Sequence, residues 1–288
     1  MERIRENILY TEEQANRVPT MSKTRDHNNS LARRTAPGHV ALVGAGPGDP
    51  ELLTLRALRA LERADVIVHD RLVGPGVLAL AGPGAEIIEA GKQGFGPSWK
   101  QDDINALLVA RALAGAQVVR LKSGDPGVFA RLDEEIEALE AAGVRWSIVP
   151  GITSASAAAA GMGQSLTRRG RNGELRLITG HDMKGYAEQD WRALARPGAV
   201  AAIYMGKRAA RFLQGRLMMH GADPHTPVTV VENASRPDEH RAPATLATLT
   251  DKLAAVEMTG PAILLLGLAP RDAAALPAPV ATPKELTS

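Results

Sequence analysis

The stretch Val40-Ala-Leu-Val-Gly-Ala-Gly-Pro-Gly-Asp-Pro50 constrains this chain more than any other. A short apolar run enters a turn with three glycines. Asp49 and Pro50 then open a leucine-rich stretch from Leu52 to Leu61. The pattern predicts a strand, a tight turn and a helix start. Gly44, Gly46 and Gly48 permit backbone angles and close approaches that a Cβ obstructs. Asp49 suits an N-cap, and Pro50 suits the first helical position, where its missing donor costs nothing. In an α/β protein, the turn at the carboxyl end of a strand is where small ligands bind.

The alternation continues. Val66–His69, Glu86–Glu89, Gln117–Leu121 and Ser147–Val149 read as strands two to five. Between them, Ile104, Leu107, Leu108 and Ala112 share one helical face, after a capping-box spacing at Ser98-Trp-Lys-Gln101. A further helix runs from Glu134 to Ala142 and stops at Gly143. Pro150-Gly-Ile-Thr-Ser-Ala155 interrupts the pattern and an Ala-rich helix follows. A second unit has strands at Leu175–Thr179, Val200–Tyr204, Val228–Val231 and Ala262–Leu266, and a helix with Ala209, Phe212, Leu213 and Leu217 on one face. The fold class expected is α/β: two α/β domains, 37–152 and 153–270, with mainly parallel or mixed sheets and a ligand cleft between them. The polar segment 1–36 and the Ala- and Pro-rich segment 271–288 are expected to be loose.

Composition narrows the chemistry. The chain has no Cys, which excludes disulfides, thiolate metal sites and a cysteine nucleophile, and which fits a reducing cytoplasm. Its seven His are scattered without an H-x-x-x-H pair, so no metal site is expected. The formal charge is only +2 and arises within residues 1–36, so nothing favours nucleic acid. No apolar run is long enough to span a bilayer, and no apolar signal segment opens the chain.

Several stretches can carry function. Gly44-Ala-Gly46 begins a dinucleotide fingerprint, and Asp70 ends strand two where a ribose-binding acid belongs. Asp49 occupies the third glycine position, however, and a carboxylate there repels a pyrophosphate. Lys122-Ser-Gly-Asp-Pro126 is a second Gly-Asp-Pro turn at a strand end, in which Asp125 can accept hydrogen bonds from a ligand. Asp70 and Lys92 both follow apolar strands and can face one crevice; as isolated charges they read as solvated side chains or ion-pair partners. Thr167-Arg-Arg-Gly-Arg171 offers Arg168, Arg169 and Arg171 either to solvent or to a polycarboxylate.

These motifs resemble, in order, those of the tetrapyrrole methylases. The resemblance covers residues 38–270 and rests on Val43–Pro50, His69-Asp-Arg-Leu-Val73, Gly91-Lys92, Lys122–Pro126, Val149-Pro-Gly-Ile-Thr-Ser154, Thr179-Gly-His181, Tyr204-Met-Gly206 and Val231-Glu-Asn233. It departs from the family's usual Gly-Gly-Asp at Ser123-Gly124-Asp125. The resemblance implies an enzyme that binds S-adenosylmethionine in the cleft between two α/β domains, releases S-adenosylhomocysteine, and forms a homodimer. It assigns Pro47, Ser123, Gly124, Asp125, Val128, Thr153, Ser154, Met205 and Ala234 to the cofactor. It makes Asp70 the proton acceptor and Lys92 the proton donor. The implied reaction methylates uroporphyrinogen III at C-2 and C-7, giving precorrin-1 and then precorrin-2, towards sirohaem or cobalamin. Arg131, Arg168, Arg169 and Arg171 become candidate anchors for the substrate's carboxylates. The alternatives are a methylase of a later precorrin and a non-catalytic homologue that binds tetrapyrrole or cofactor. With only 36 residues ahead of the match, the chain is not expected to complete sirohaem alone.

Overall fold

The computed structural model describes residues 38–90, 99–182 and 184–271. Lys92, the capping-box Ser98 and the two terminal segments lie outside them. Before residue 150 the elements are β1 (His39–Gly44), α1 (Leu55–Arg63), β2 (Val66–His69), α2 (Pro75–Leu78), β3 (Glu86–Glu89), α3 (Gln101–Leu113), β4 (Gln117–Lys122), α4 (Leu132–Ala141) and β5 (Arg145–Val149). The five strands form one parallel sheet in the order β3-β2-β4-β1-β5.

Strand periodicity sends alternate residues to opposite faces. Val40, Leu42, Val66, Val68 and Val118 pack against Ile104 and Leu108 of α3 and Leu139 of α4. Ala41, Val43, Ile67, Val119 and Leu121 pack against Ala57 and Leu61 of α1 and Val77 of α2. Burial on both faces is the reason these strands read as nearly continuous apolar runs.

The strand order places the site. The chain leaves β1 for β2 by passing β4, and leaves β4 for β5 by passing β1. Two neighbouring strands thus send their connections in opposite directions, which opens a crevice at their carboxyl ends. The two Gly-Asp-Pro turns are the loops leaving these two strands.

The second half comprises α5 (Ser154–Gly161), β6 (Arg176–Thr179), β7 (His181–Asp182), β8 (Gly185–Tyr186), α6 (Trp191–Leu194), β9 (Ala201–Tyr204), α7 (Ala210–Met219), β10 (Pro227–Glu232), β11 (His240–Thr245), α8 (Leu249–Ala255) and β12 (Ala262–Leu266). Its main sheet runs β11-β10-β12-β9-β6. Only β6 and β9 pair in parallel; β12 is antiparallel to both β9 and β10. The amino end of β12 therefore lies beside the carboxyl ends of β9 and β10. One face carries Ile203, Val230 and Leu264 against Leu213 and Leu217 of α7, and the other carries Ala202, Val231 and Ile263 against Ala155, Ala158 and Ala159 of α5.

Local chemistry shifted some boundaries. The stretch expected as one helix from Leu52 splits into a 3-10 turn, Pro50–Leu52, and α1. Asp49 caps the turn by accepting from Glu51 N–H, but Thr54 Oγ1 accepts from Ala57 N–H at 3.1 Å and starts a new helix. At α3 the carboxylate of Asp103 accepts from Lys100 N–H, so capping is centred on Lys100. Strand β11 had no apolar signal; it is a sheet edge, where its Pro243 is tolerated. Among the described residues, no helix is long and apolar enough to cross a membrane.

Candidate active site

The two glycine turns meet. Gly46 N–H donates to Gly124 O at 3.2 Å and Gly124 N–H to Gly46 O at 2.8 Å. Gly151 packs against both loops, and a Cβ added there meets Gly124 O at 2.2 Å and Gly44 Cα at 2.9 Å. Gly124 itself has φ +72, a left-handed conformation that favours glycine. Asp125 fixes the same corner. Its Oδ1 accepts from Gly127 N–H at 2.8 Å and its Oδ2 from Gly151 N–H at 2.9 Å. An ionised carboxylate has about four acceptor positions, so these bonds leave capacity for a ligand.

Above this corner is a cavity of about 440 Å³, within the ~300–1,000 Å³ of small-molecule sites. Pro47, Ser123, Gly124, Asp125, Val128, Thr153, Ser154, Met205 and Ala234 all line it, and so does Asp70. Lys92 lies outside the described residues. The lining comes from loops after β1, β2, β4, β9 and β10, from the start of α5 and from the amino end of β12.

Backbone conformation marks the same place. Among the described residues, the non-glycine residues with positive φ are Phe129, Arg131, Met205, Asn233 and Ser235. Phe129, Met205 and Asn233 line the cavity, and the other two adjoin lining residues. Such conformations cost energy and gather at ligand clamps and active sites. His181 supports one of them: its Nδ1 lies 3.1 Å from the Met205 carbonyl oxygen, to which a protonated Nδ1 donates. Across the cavity, the hydroxyls of Thr153 and Tyr204 are hydrogen-bonded.

Asp70 is tied to the interior. Its Oδ1 accepts from Arg120 Nη2 at 2.5 Å. Arg120 Nε donates to Glu135 Oε1 at 2.9 Å, and Lys122 Nζ donates to the same oxygen at 2.7 Å. Burial, and then the adjacent Arg120 charge, hold Lys122 below the usual lysine range.

The candidate substrate arginines are not gathered into this cavity. Arg131 is exposed and pairs with Glu134, with Nε donating to Oε1 at 2.7 Å. Arg168, Arg169 and Arg171 line a separate open depression formed by residues 167–173. Arg171 is engaged there with Asn172 Oδ1 and the Ser165 carbonyl.

Sequence reasoning missed part of the wall. Phe129 and Arg236 line the cavity, as do Pro261, Ala262 and Ile263. Phe129 and Arg236 follow recognised turns, so distance from a strand end was the available signal. The segment 261–263 opens a strand, and it reaches the cavity only because β12 runs antiparallel to its neighbours. Among the described residues, no cluster of His, Asp and Glu is arranged to hold a metal ion.

The family model "Tetrapyrrole (Corrin/Porphyrin) Methylases" matches residues 39–250. A siroheme synthase from Methylococcus capsulatus is 46% identical over 242 residues, covering 83% of this chain and 51% of that protein. The chain thus spans about half the length of the siroheme synthases it matches. A uroporphyrinogen-III C-methyltransferase from Paracoccus denitrificans is 45% identical over 251 residues, with 86% of each protein covered. The structure of a Thermus thermophilus uroporphyrin-III C-methyl transferase complexed with S-adenyl homocysteine superposes with a TM-score of 0.69, at 42% identity, over 80% of this chain and 97% of that one. With the family model matching most of its length and the Paracoccus relative aligned over 86% of both proteins, the chain belongs to the tetrapyrrole methylases.

Proposed function

We propose that this chain is an S-adenosylmethionine-dependent methyltransferase that methylates uroporphyrinogen III at C-2 and C-7, giving precorrin-2 through precorrin-1. The observation that carries the reading is the convergence of Asp70 and the nine cofactor-assigned residues on one cavity at the strand-order reversal. The Paracoccus and Thermus relatives supply the substrate.

The wall suits the cofactor. Among the described residues, Asp70 and Asp125 are its acidic side chains and Arg236 its basic one, and carboxylates suit a sulfonium cation. The packed glycines leave backbone, rather than side chains, beneath the ligand. S-adenosylmethionine, when bound, supplies an electrophilic methyl group to an electron-rich ring carbon. The loops hold the two reactants in line and exclude water, which is most of what such a transfer needs. Asp70 takes the one proton that the substrate loses for each methyl cation it gains, and Lys92, the proton donor of the resemblance, recovers any proton it lends before the product leaves. The halves before and after residue 152 act as two domains closing on the ligand. We place the enzyme in the cytoplasm as a homodimer, and keep Arg131, Arg168, Arg169 and Arg171 as candidate partners for substrate carboxylates, outside the cavity lining.

Incubation with methyl-labelled S-adenosylmethionine and uroporphyrinogen III is expected to give a doubly labelled tetrapyrrole. Absence of label on this substrate, with label entering a precorrin already methylated at both positions, overturns the assignment. Light scattering checks the oligomer, expected at twice the 30.4 kDa chain mass.

A further inference from the structure

Among the described residues, the layer between the first sheet and helices α3 and α4 is apolar except at one place. There Arg120, Lys122 and Glu135 sit together, each 2% exposed or less. Buried charges are costly to desolvate, and well-packed apolar residues commonly serve stability as well or better. Stability alone therefore does not account for the cluster. Its outer end does: the network finishes at Asp70, whose side chain is 32% exposed and lines the cavity.

The connection is directional. Glu135 stands in the first turn of α4 and receives Arg120 Nε and Lys122 Nζ on one oxygen, with Gln101 Nε2 of α3 at 3.3 Å. Arg120 is thereby anchored from behind by two helices. Its Nη1 lies 3.4 Å from Val68 O, on the strand that leads to Asp70. Its Nη2 then holds Asp70 Oδ1. A guanidinium is a rigid planar fork, so anchoring one edge fixes the direction of the other.

We infer that Arg120 is the positioning residue for Asp70: its buried guanidinium, set by Glu135, holds the Asp70 carboxylate in one orientation at the cavity wall. This rests on the proposed role of Asp70 as proton acceptor. Proton transfer requires the acceptor within hydrogen-bond reach of the reacting group, and misplacement by ~1 Å costs on the order of 100-fold in rate. Lys122 is no substitute for Arg120: its ammonium is a compact charge with three rotatable donors and no planar fork to fix a direction, and in the structure it is bonded to Glu135.

The test uses the full chain with Asp70→Asn, Arg120→Gln, Arg120→Lys and the Asp70→Asn/Arg120→Gln double variant. Single-turnover methyl transfer, S-adenosylhomocysteine affinity and thermal unfolding are measured on each. Asp70→Asn and Arg120→Gln are expected to slow transfer, the latter about 100-fold, with ligand affinity unchanged. Arg120→Lys is expected not to restore the rate. The double variant is expected to be no slower than Asp70→Asn alone, because Arg120 acts only through that carboxylate. Arg120→Gln leaves Glu135 bonded to Lys122; if it does not fold, Arg120→Gln/Glu135→Gln removes one charge of each sign and takes its place. A wild-type rate for Arg120→Gln beside a slow Asp70→Asn, or additive losses in the double variant, overturns the inference alone. A wild-type rate for Asp70→Asn overturns the reading of Asp70, and the inference with it.

Discussion

Gly46 and Gly124 exchange backbone hydrogen bonds in both directions, at 3.2 and 2.8 Å, as an isolated antiparallel bridge between the loops leaving two neighbouring parallel strands. The bridge joins the two Gly-Asp-Pro turns into one floor beneath the cavity. Gly151 completes that floor by touching both.

Gly151→Ala is expected to destabilise the protein by about 1–3 kcal/mol. The added Cβ sits 2.2 Å from Gly124 O and 2.9 Å from Gly44 Cα, both backbone atoms with no rotamer to yield. Urea unfolding measures the loss, and calorimetry with S-adenosylhomocysteine is expected to show weaker binding. A variant that unfolds with the parent removes the argument for a rigid floor.

Asp125→Asn tests the corner from the other side. The carboxylate serves Gly127 N–H and Gly151 N–H with different oxygens, whereas an amide offers one acceptor oxygen. One N–H is then left facing an NH₂ group, at a cost of about 1–3 kcal/mol. Thermal unfolding is expected to report this. Equal stability of the two proteins contradicts the structural role assigned to Asp125.

Lys207 supports the opposite wall without lining it. Its Nζ donates to Met258 O at 2.7 Å and Gly260 O at 2.9 Å, just ahead of the cavity-lining Pro261. Lys207→Met is expected to loosen this segment and to weaken S-adenosylhomocysteine binding more than it lowers the melting temperature of the whole chain. Hydrogen exchange at residues 258–263 checks the first part; unchanged protection there removes the claim.

His39 makes stability depend on acidity. Burial, and then the positive charge of Arg145, lower its pKa from the ordinary 6.5. Between the lowered value and 6.5 the unfolded chain binds more protons than the folded one, so the contribution of this group to stability rises with pH across that window. Acidification below it leaves the penalty fully expressed. His39→Gln is expected to flatten the rise. Urea midpoints measured through the window for both proteins decide it, and parallel curves exclude His39 as the source.

Much of the scaffold was readable locally. Val66–His69 and Ala262–Leu266 were bounded by apolar content, and α4 by Gly143, whose φ is +66. Asp49 was readable as a cap because its short side chain reaches a backbone N–H two residues on. Thr54 was overlooked because a threonine inside a leucine-rich stretch gives no periodic signal, although its hydroxyl restarts the helix. Asp70 and the residues that the resemblance assigns to the cofactor were named from the ordered motifs, and they line one cavity. Arg236 was not, because its approach to the cavity depends on a contact with the Leu72 carbonyl 164 residues away.

The sequence by itself determined most of the strands that build the two main sheets, several helices and their apolar faces, because periodicity, caps and glycine conformation act over a few residues. It carried the family as well, through motifs kept in order. Tertiary structure alone decided which strands are neighbours and which direction they run. Side-chain alternation states which face a residue takes but not which strand lies beside it. For that reason the Gly46–Gly124 bridge, the arrival of β12 at the cavity by its amino end, and the line from Glu135 through Arg120 to Asp70 belong to the fold. Their partners are 15 residues apart for Arg120 and Glu135, 50 for Asp70 and Arg120, and 78 for Gly46 and Gly124, and only packing brings them within hydrogen-bond distance.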